Sequence, residues 1–155
     1  MEFGWLNIFG ACIVVLMLVP NIIYAIGNKG EVNHCTNKLM NLVEQIGRYA
    51  CIVLMWFPLM VWKFGFTSKI AMISYFLGNG LLLLIYWIVF FIFIRGKSRG
   101  RALVLAIVPS CIFLLSGILL GHWLLVCFAV LFAFGHIYVT IQNNQVQGLR
   151  RLSWE

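Results

Sequence analysis

Apolar residues in this chain come in long unbroken runs, and polar residues gather in the breaks between them. The runs cover positions 4–26, 39–62, 70–94, 102–120 and 123–141. A hydrocarbon core about 30 Å thick is crossed by about 20 apolar residues in helix, so each run predicts one crossing. The stretch 81–94 reads LLLLIYWIVFFIFI, with no alternation of apolar and polar positions. Strands of a membrane barrel alternate over about ten residues. A continuous apolar run satisfies its backbone in lipid only as a helix. The expected fold is all-α, a polytopic integral membrane bundle of five transmembrane helices, built as a single domain over 1–155 with a cytoplasmic tail over 142–155.

Composition agrees. Hydrophobic residues make up 63% of the chain and charged ones 10%. Soluble domains carry about a quarter charged residues, so an ordinary soluble domain is excluded. The first run follows Glu2, and the first basic residue is Lys29. A secretory signal starts basic and has a shorter apolar core, so this run is expected to be a retained helix. The net charge of +7 reports placement. Cytoplasmic loops collect Lys and Arg. Assigning alternate breaks to opposite sides puts Lys63 and Lys69 on one side. Lys29, Lys38, Arg48, Arg95, Lys97, Arg99, Arg101, Arg150 and Arg151 fall on the other. The N-terminus is therefore expected outside and the C-terminus in the cytoplasm, in the plasma membrane of a bacterium. The most basic segment, RGKSRGR at 95–101, has no interleaved aromatic residue. It reads as a topology signal facing anionic headgroups, and nucleic acid is not an expected partner.

Details within the runs refine the picture. Thr36 or Asn37 is placed to cap the second helix, whose first turns are amphipathic. Glu44 and Arg48, four apart, share a face there. Pro20, Pro58 and Pro109 interrupt helices one, two and four, each removing a ladder hydrogen bond. Gly117 and Gly121 form a GxxxG, and Ala129 and Ala133 a related pattern. Both predict close packing of the last two helices as a hairpin, with dimerisation through the same face as the competing reading. Tyr86, Trp87, Phe90, Phe91 and Phe93 are expected to face lipid and the interface. Leu149, Arg150, Arg151, Leu152 and Trp154 suggest a tail segment lying on the inner surface. The five cysteines have no metal or disulfide spacing and read as small hydrophobes.

Polar groups inside a span are costly and often functional. Counted from the basic ends at about 1.5 Å per residue, they share a depth. Asn21 and Tyr24 lie near the inner end of helix one, and Glu44 and Arg48 at the entry of helix two. Ser110 lies inside helix four and His136 inside helix five. These six are the candidate ligand-binding residues of a polar pocket opening to the cytoplasm. Each also has a structural reading: Glu44–Arg48 as a headgroup-level pair, His136 as a packed histidine, Asn21 as a partner for the carbonyl freed by Pro20. The three histidines, His34, His122 and His136, differ in depth. No His-Glu-x-x-His occurs, and the chain contains no Asp. No metal and no cofactor are expected, and paired-carboxylate chemistry is excluded. Three functions stay open. One is a membrane protein, a transporter or a transporter subunit, that binds a small molecule or lipid. The second is a membrane-embedded enzyme using His136 or Glu44 as base. The third is a non-catalytic immunity, assembly or regulatory partner, or a homodimer, packed through the hairpin.

Overall fold

A computed structural model describes residues 6–27, 35–57, 59 and 65–152, with 146–152 described by backbone alone. Among the described residues lie five helices and no strand: α1 (Ile8–Gly27), α2 (Lys38–Trp56), α3 (Lys69–Arg95), α4 (Arg99–Leu119) and α5 (Trp123–Leu152). Four of them, α1, α3, α4 and α5 as far as Gln145, are long and apolar enough to cross a membrane. The first half of α2 carries Lys38, Glu44 and Arg48, which sets it apart from the other four. The outer surface is apolar along every helix: Ile22, Leu42, Leu77, Ile107 and Phe134 are all exposed. Such a surface is stable against lipid, where a soluble protein would bury it.

Local chemistry sets the helix ends. The Asn7 side chain accepts the Gly10 N–H at 3.0 Å at the start of α1. Asn37, one of the two expected caps, accepts from Leu39 and Met40 at the start of α2. Ser68 accepts from Ala71 at the start of α3. Each satisfies backbone donors that a first turn leaves open. The second helix was expected to run to position 62, but it stops at Trp56. Phe57 is extended, with φ −113° and ψ 127°, as the residue before a proline is pushed to be. The calls on Lys29, His34, Pro58, Lys63 and Trp154 lie outside the described residues. Pro20 and Pro109 lie within continuous α1 and α4. The segment after 141 is helical as far as Leu152. The fifth helix continues through it, because residues 142–147 hold no glycine or proline. The Asn144 side chain also donates to the Thr140 carbonyl one turn back, at 2.7 Å.

The hairpin between α4 and α5 forms as expected, but its two glycines differ in role. A Cβ on Gly117 would stand 2.8 Å from Val126 Cγ2 and 3.1 Å from Val126 N, so this glycine sets the close approach of the two helices. Gly121 touches nothing and has φ +64°. The His122 N–H bonds the Gly117 carbonyl and the Gly121 N–H the Ile118 carbonyl, the Schellman closure of a helix around a left-handed residue. His122 then caps α5. Its Nδ1 accepts the Leu125 N–H at 3.2 Å, and its Nε2 lies 3.0 Å from the Leu59 carbonyl. An acceptor at Nδ1 places the proton on Nε2, which donates to that carbonyl. Burial holds the imidazole below its ordinary range, against the opposing pull of the Leu59 bond.

The second seam joins α2 to α5. A Cβ on Gly47 would stand 2.8 Å from the Phe132 backbone, and one on Gly135 2.8 Å from the Glu44 backbone. The pairs 47/132 and 44/135 run in opposite directions, so the helices are antiparallel, and each gives a glycine to the other's backbone. Farther along α2, the Asn7 N–H donates to the Trp56 carbonyl at 2.8 Å, tying in the start of α1. The core between these seams holds Val14, Met17, Met55, Tyr75, Ile112 and Phe132. Ser116 donates to Asn79 at 3.2 Å between α4 and α3, and Asn79 donates to the Tyr75 carbonyl at 2.9 Å.

Candidate functional site

A cavity of about 530 Å³ opens at the end of the bundle where α1 ends and α2 begins. All five helices line it. From α1 come Asn21 and Tyr24, and from α2 comes Arg48. His136, Thr140, Asn143 and Asn144 form the α5 side. The opposite wall is apolar and aromatic: Tyr86, Phe90 and Phe93 of α3, and Ala102, Leu105 and Ala106 of α4.

The ion-pairing core lies beneath the α2 and α5 side. Glu44 is buried, with a side chain 7% exposed. Its Oε1 accepts from Arg48 Nη2, one turn along the same helix. The same oxygen lies 3.0 Å from His136 Nδ1 across the seam. A carboxylate only accepts, so Nδ1 carries a proton and Nε2 is the imidazole's other edge. Phe132 stacks on that ring at 4.8 Å between centroids, 18° from parallel. The tight crossing explains the pairing. Gly135 lets the Glu44 backbone come close to α5, and His136 is the next residue.

On the α1 side, the Asn21 side chain donates to the Met17 carbonyl at 3.4 Å. This carbonyl is not the one that Pro20 frees, which is four residues before the proline, at Leu16. Asn21 Oδ1 in turn accepts the Tyr86 hydroxyl at 3.0 Å, which ties α1 to α3. Lys97 stands over the Tyr24 ring, 5.2 Å from its centroid.

Of the six sequence candidates, Asn21, Tyr24, Arg48 and His136 line the cavity, and Glu44 bonds two of them from behind. Ser110 is not part of the lining. It is buried, and its hydroxyl donates back to the Ala106 carbonyl at 3.2 Å, the usual local partner of a serine within a helix. Tyr86 was missed as a site residue. Together with Phe90 it was assigned to the lipid face, yet both are buried, at 2% and 3% exposure. Phe91 of the same aromatic group is exposed, as expected. A signal was available, since Tyr75, Asn79, Tyr86 and Phe90 recur at intervals of 4, 7 and 4 and so share one helix face. Thr140, Asn143 and Asn144 follow His136 by one and two turns along α5 and extend its face outward.

No family model matches the chain, and no curated protein and no solved structure matches it either.

Proposed function

We propose that the chain is a five-span membrane protein, with N-terminus outside and C-terminus in the cytoplasm, whose cavity binds a small molecule or a lipid as a transporter or a transporter subunit. The observation that carries this reading is the cavity itself. All five helices meet around about 530 Å³, with polar side chains from α1, α2 and α5 facing an apolar and aromatic wall from α3 and α4, in a bundle whose outer surface is apolar. That is the size and mixed lining of a small-molecule site. The position of α2 supports the fifth crossing. It starts beside the cavity at Glu44, and its far end bonds the start of α1 through the Trp56 carbonyl. Leu59, three residues on, meets His122 at the α4–α5 turn. The basic residues Arg95, Lys97, Arg99 and Arg101 follow and precede the helix ends around the cavity, which supports a cytoplasmic opening.

Native mass spectrometry of the protein released from mild detergent tests this. Wild type is expected to carry a discrete small ligand or lipid that is lost in the Arg48→Ala/His136→Ala double variant. An empty wild type, or a ligand indifferent to both substitutions, counts against a binding cavity. A second reading, a membrane-embedded enzyme, rests on one observation: the Glu44–His136 bond orients the imidazole as a general base would be oriented. It expects His136→Gln to abolish turnover of a substrate while the protein's melting temperature stays near that of wild type.

A further inference from the structure

The charge balance around the cavity narrows the ligand class, on the reading that the cavity is a binding site. Among the described residues, Arg48 is the one charged side chain lining it. Glu44, which neutralises Arg48, is buried behind the lining and offers the cavity no carboxylate. Arg48 is half exposed, at 44% of its side chain, and Glu44 engages it through Nη2. The remaining guanidinium N–H groups are donors for a second oxyanion. His136 is held from the opposite edge. Its Nδ1–H is committed to Glu44, its face is covered by Phe132, and among the described residues Nε2 has no hydrogen-bond partner.

We infer that the ligand carries an anionic group, a carboxylate or a phosphate ester, bound by Arg48, and that it enters together with one proton, taken up on His136 Nε2. With a neutral imidazole, Arg48 and Glu44 cancel, and an added anion would leave the site with one net negative charge in a low-dielectric surrounding, where unbalanced charge is costly. A proton on Nε2 restores neutrality and adds a donor aimed at the anion. The balance is one anion and one proton bound per site. The ionisable groups that face this ring or its cavity are Glu44 and Arg48 from α2, in the ion pair with this ring, and Tyr86 from α3 and Tyr24 from α1; Lys97, over the Tyr24 ring, is exposed and stands outside the lining. On α4 the lining is Ala102, Leu105 and Ala106, and Arg101 is turned onto the Gly96 carbonyl at 2.7 Å. The aromatic wall of Phe90 and Phe93 suits an apolar body attached to the anionic group.

The test is isothermal titration of the whole protein in a non-ionic detergent with octanoate, octyl phosphate, inorganic phosphate and octanol, from pH 8 to pH 6. Octanoate, a monoanion throughout this range, is expected to bind more tightly as pH falls, by up to about tenfold per unit for one linked proton; octyl phosphate, whose own second ionisation falls in this range, reports anion binding alone. The binding heat should vary with the ionisation enthalpy of the buffer. His136→Gln should still bind octanoate, but without pH dependence, and Arg48→Gln should lose at least tenfold in affinity. Binding of inorganic phosphate as well would identify a soluble anion as ligand, and binding of the amphiphiles alone a lipid. If octanol binds as tightly as octanoate, or if octanoate binding is flat in pH, the anion–proton inference is overturned and the cavity reading stands. If none of the four binds and the native protein carries no ligand, both fall.

Discussion

The two seams of α5 are built with the same device and differ in how far it can be read from sequence. Against α4, the helix approaches closely at Gly117, a few residues before the turn, and the partner Val126 follows a few residues after it. Against α2, the approach is made by Gly47 and Gly135, nearly ninety positions apart in the chain. The first seam is a local event, in which chain connectivity already brings the helices together. The second is long-range, and nothing in the sequence near either glycine announces the other. The long-range seam is also the one that places chemistry, because it sets Glu44 beside His136. Tight packing at the hairpin holds the bundle; tight packing at α2–α5 holds the bundle and the ionic core.

The largest effect is expected where the clash is with backbone. Gly135→Ala would put a Cβ 2.8 Å from the Glu44 Cα and N, and Gly47→Ala would do the same to Phe132. Backbone cannot turn aside, so each should destabilise by about 3 kcal/mol, at the upper end of overpacking costs, and should weaken ligand retention in native mass spectra. Thermal melting in detergent measures the first part. Melting like that of wild type would show that the seam is softer than its geometry. Gly117→Ala should cost less, about 1 kcal/mol, since its nearest neighbour is the Val126 side chain, and should leave ligand retention unchanged. A variant here that empties the cavity would break the division between a structural seam and a functional one.

The smallest effect concerns the turn that closes the hairpin. His122 has its pKa lowered from 6.5 by burial. The folded state therefore binds fewer protons than the unfolded state. Its contribution is fully present above about pH 6.5 and fades as pH falls toward the lowered folded value. The expected result is a melting temperature that drops between pH 7 and pH 5 less steeply in His122→Asn, where an amide can still accept from Leu125, than in wild type.

Much of the scaffold was legible because lipid imposes one requirement on every span. Four of the five runs match helices long and apolar enough to cross, with ends shifted by a few residues. The end of α2 was misread, although Pro58 held the signal: the residue before a proline leaves the helix. Of the site, depth was legible and direction was not. Counting residues from the helix ends put Asn21, Arg48, Ser110 and His136 at one level. Ser110 faces the core and the other three face the cavity, since level is set by rise and facing by packing. Tyr86 was obscured by its aromatic neighbours. The Glu44–His136 bond spans 92 residues, a separation at which no spacing rule applies.

The length of α5 has a mechanical consequence. At about 1.5 Å per residue, its 30 residues make a rod about 45 Å long. One end is clasped by the His122 turn, the middle is pressed between α2 and α4, and the far end extends past the cavity without a break. Such a rod works as a lever with its fulcrum at the paired glycines. A tilt of about 5° would carry its distal turns through about 2 Å.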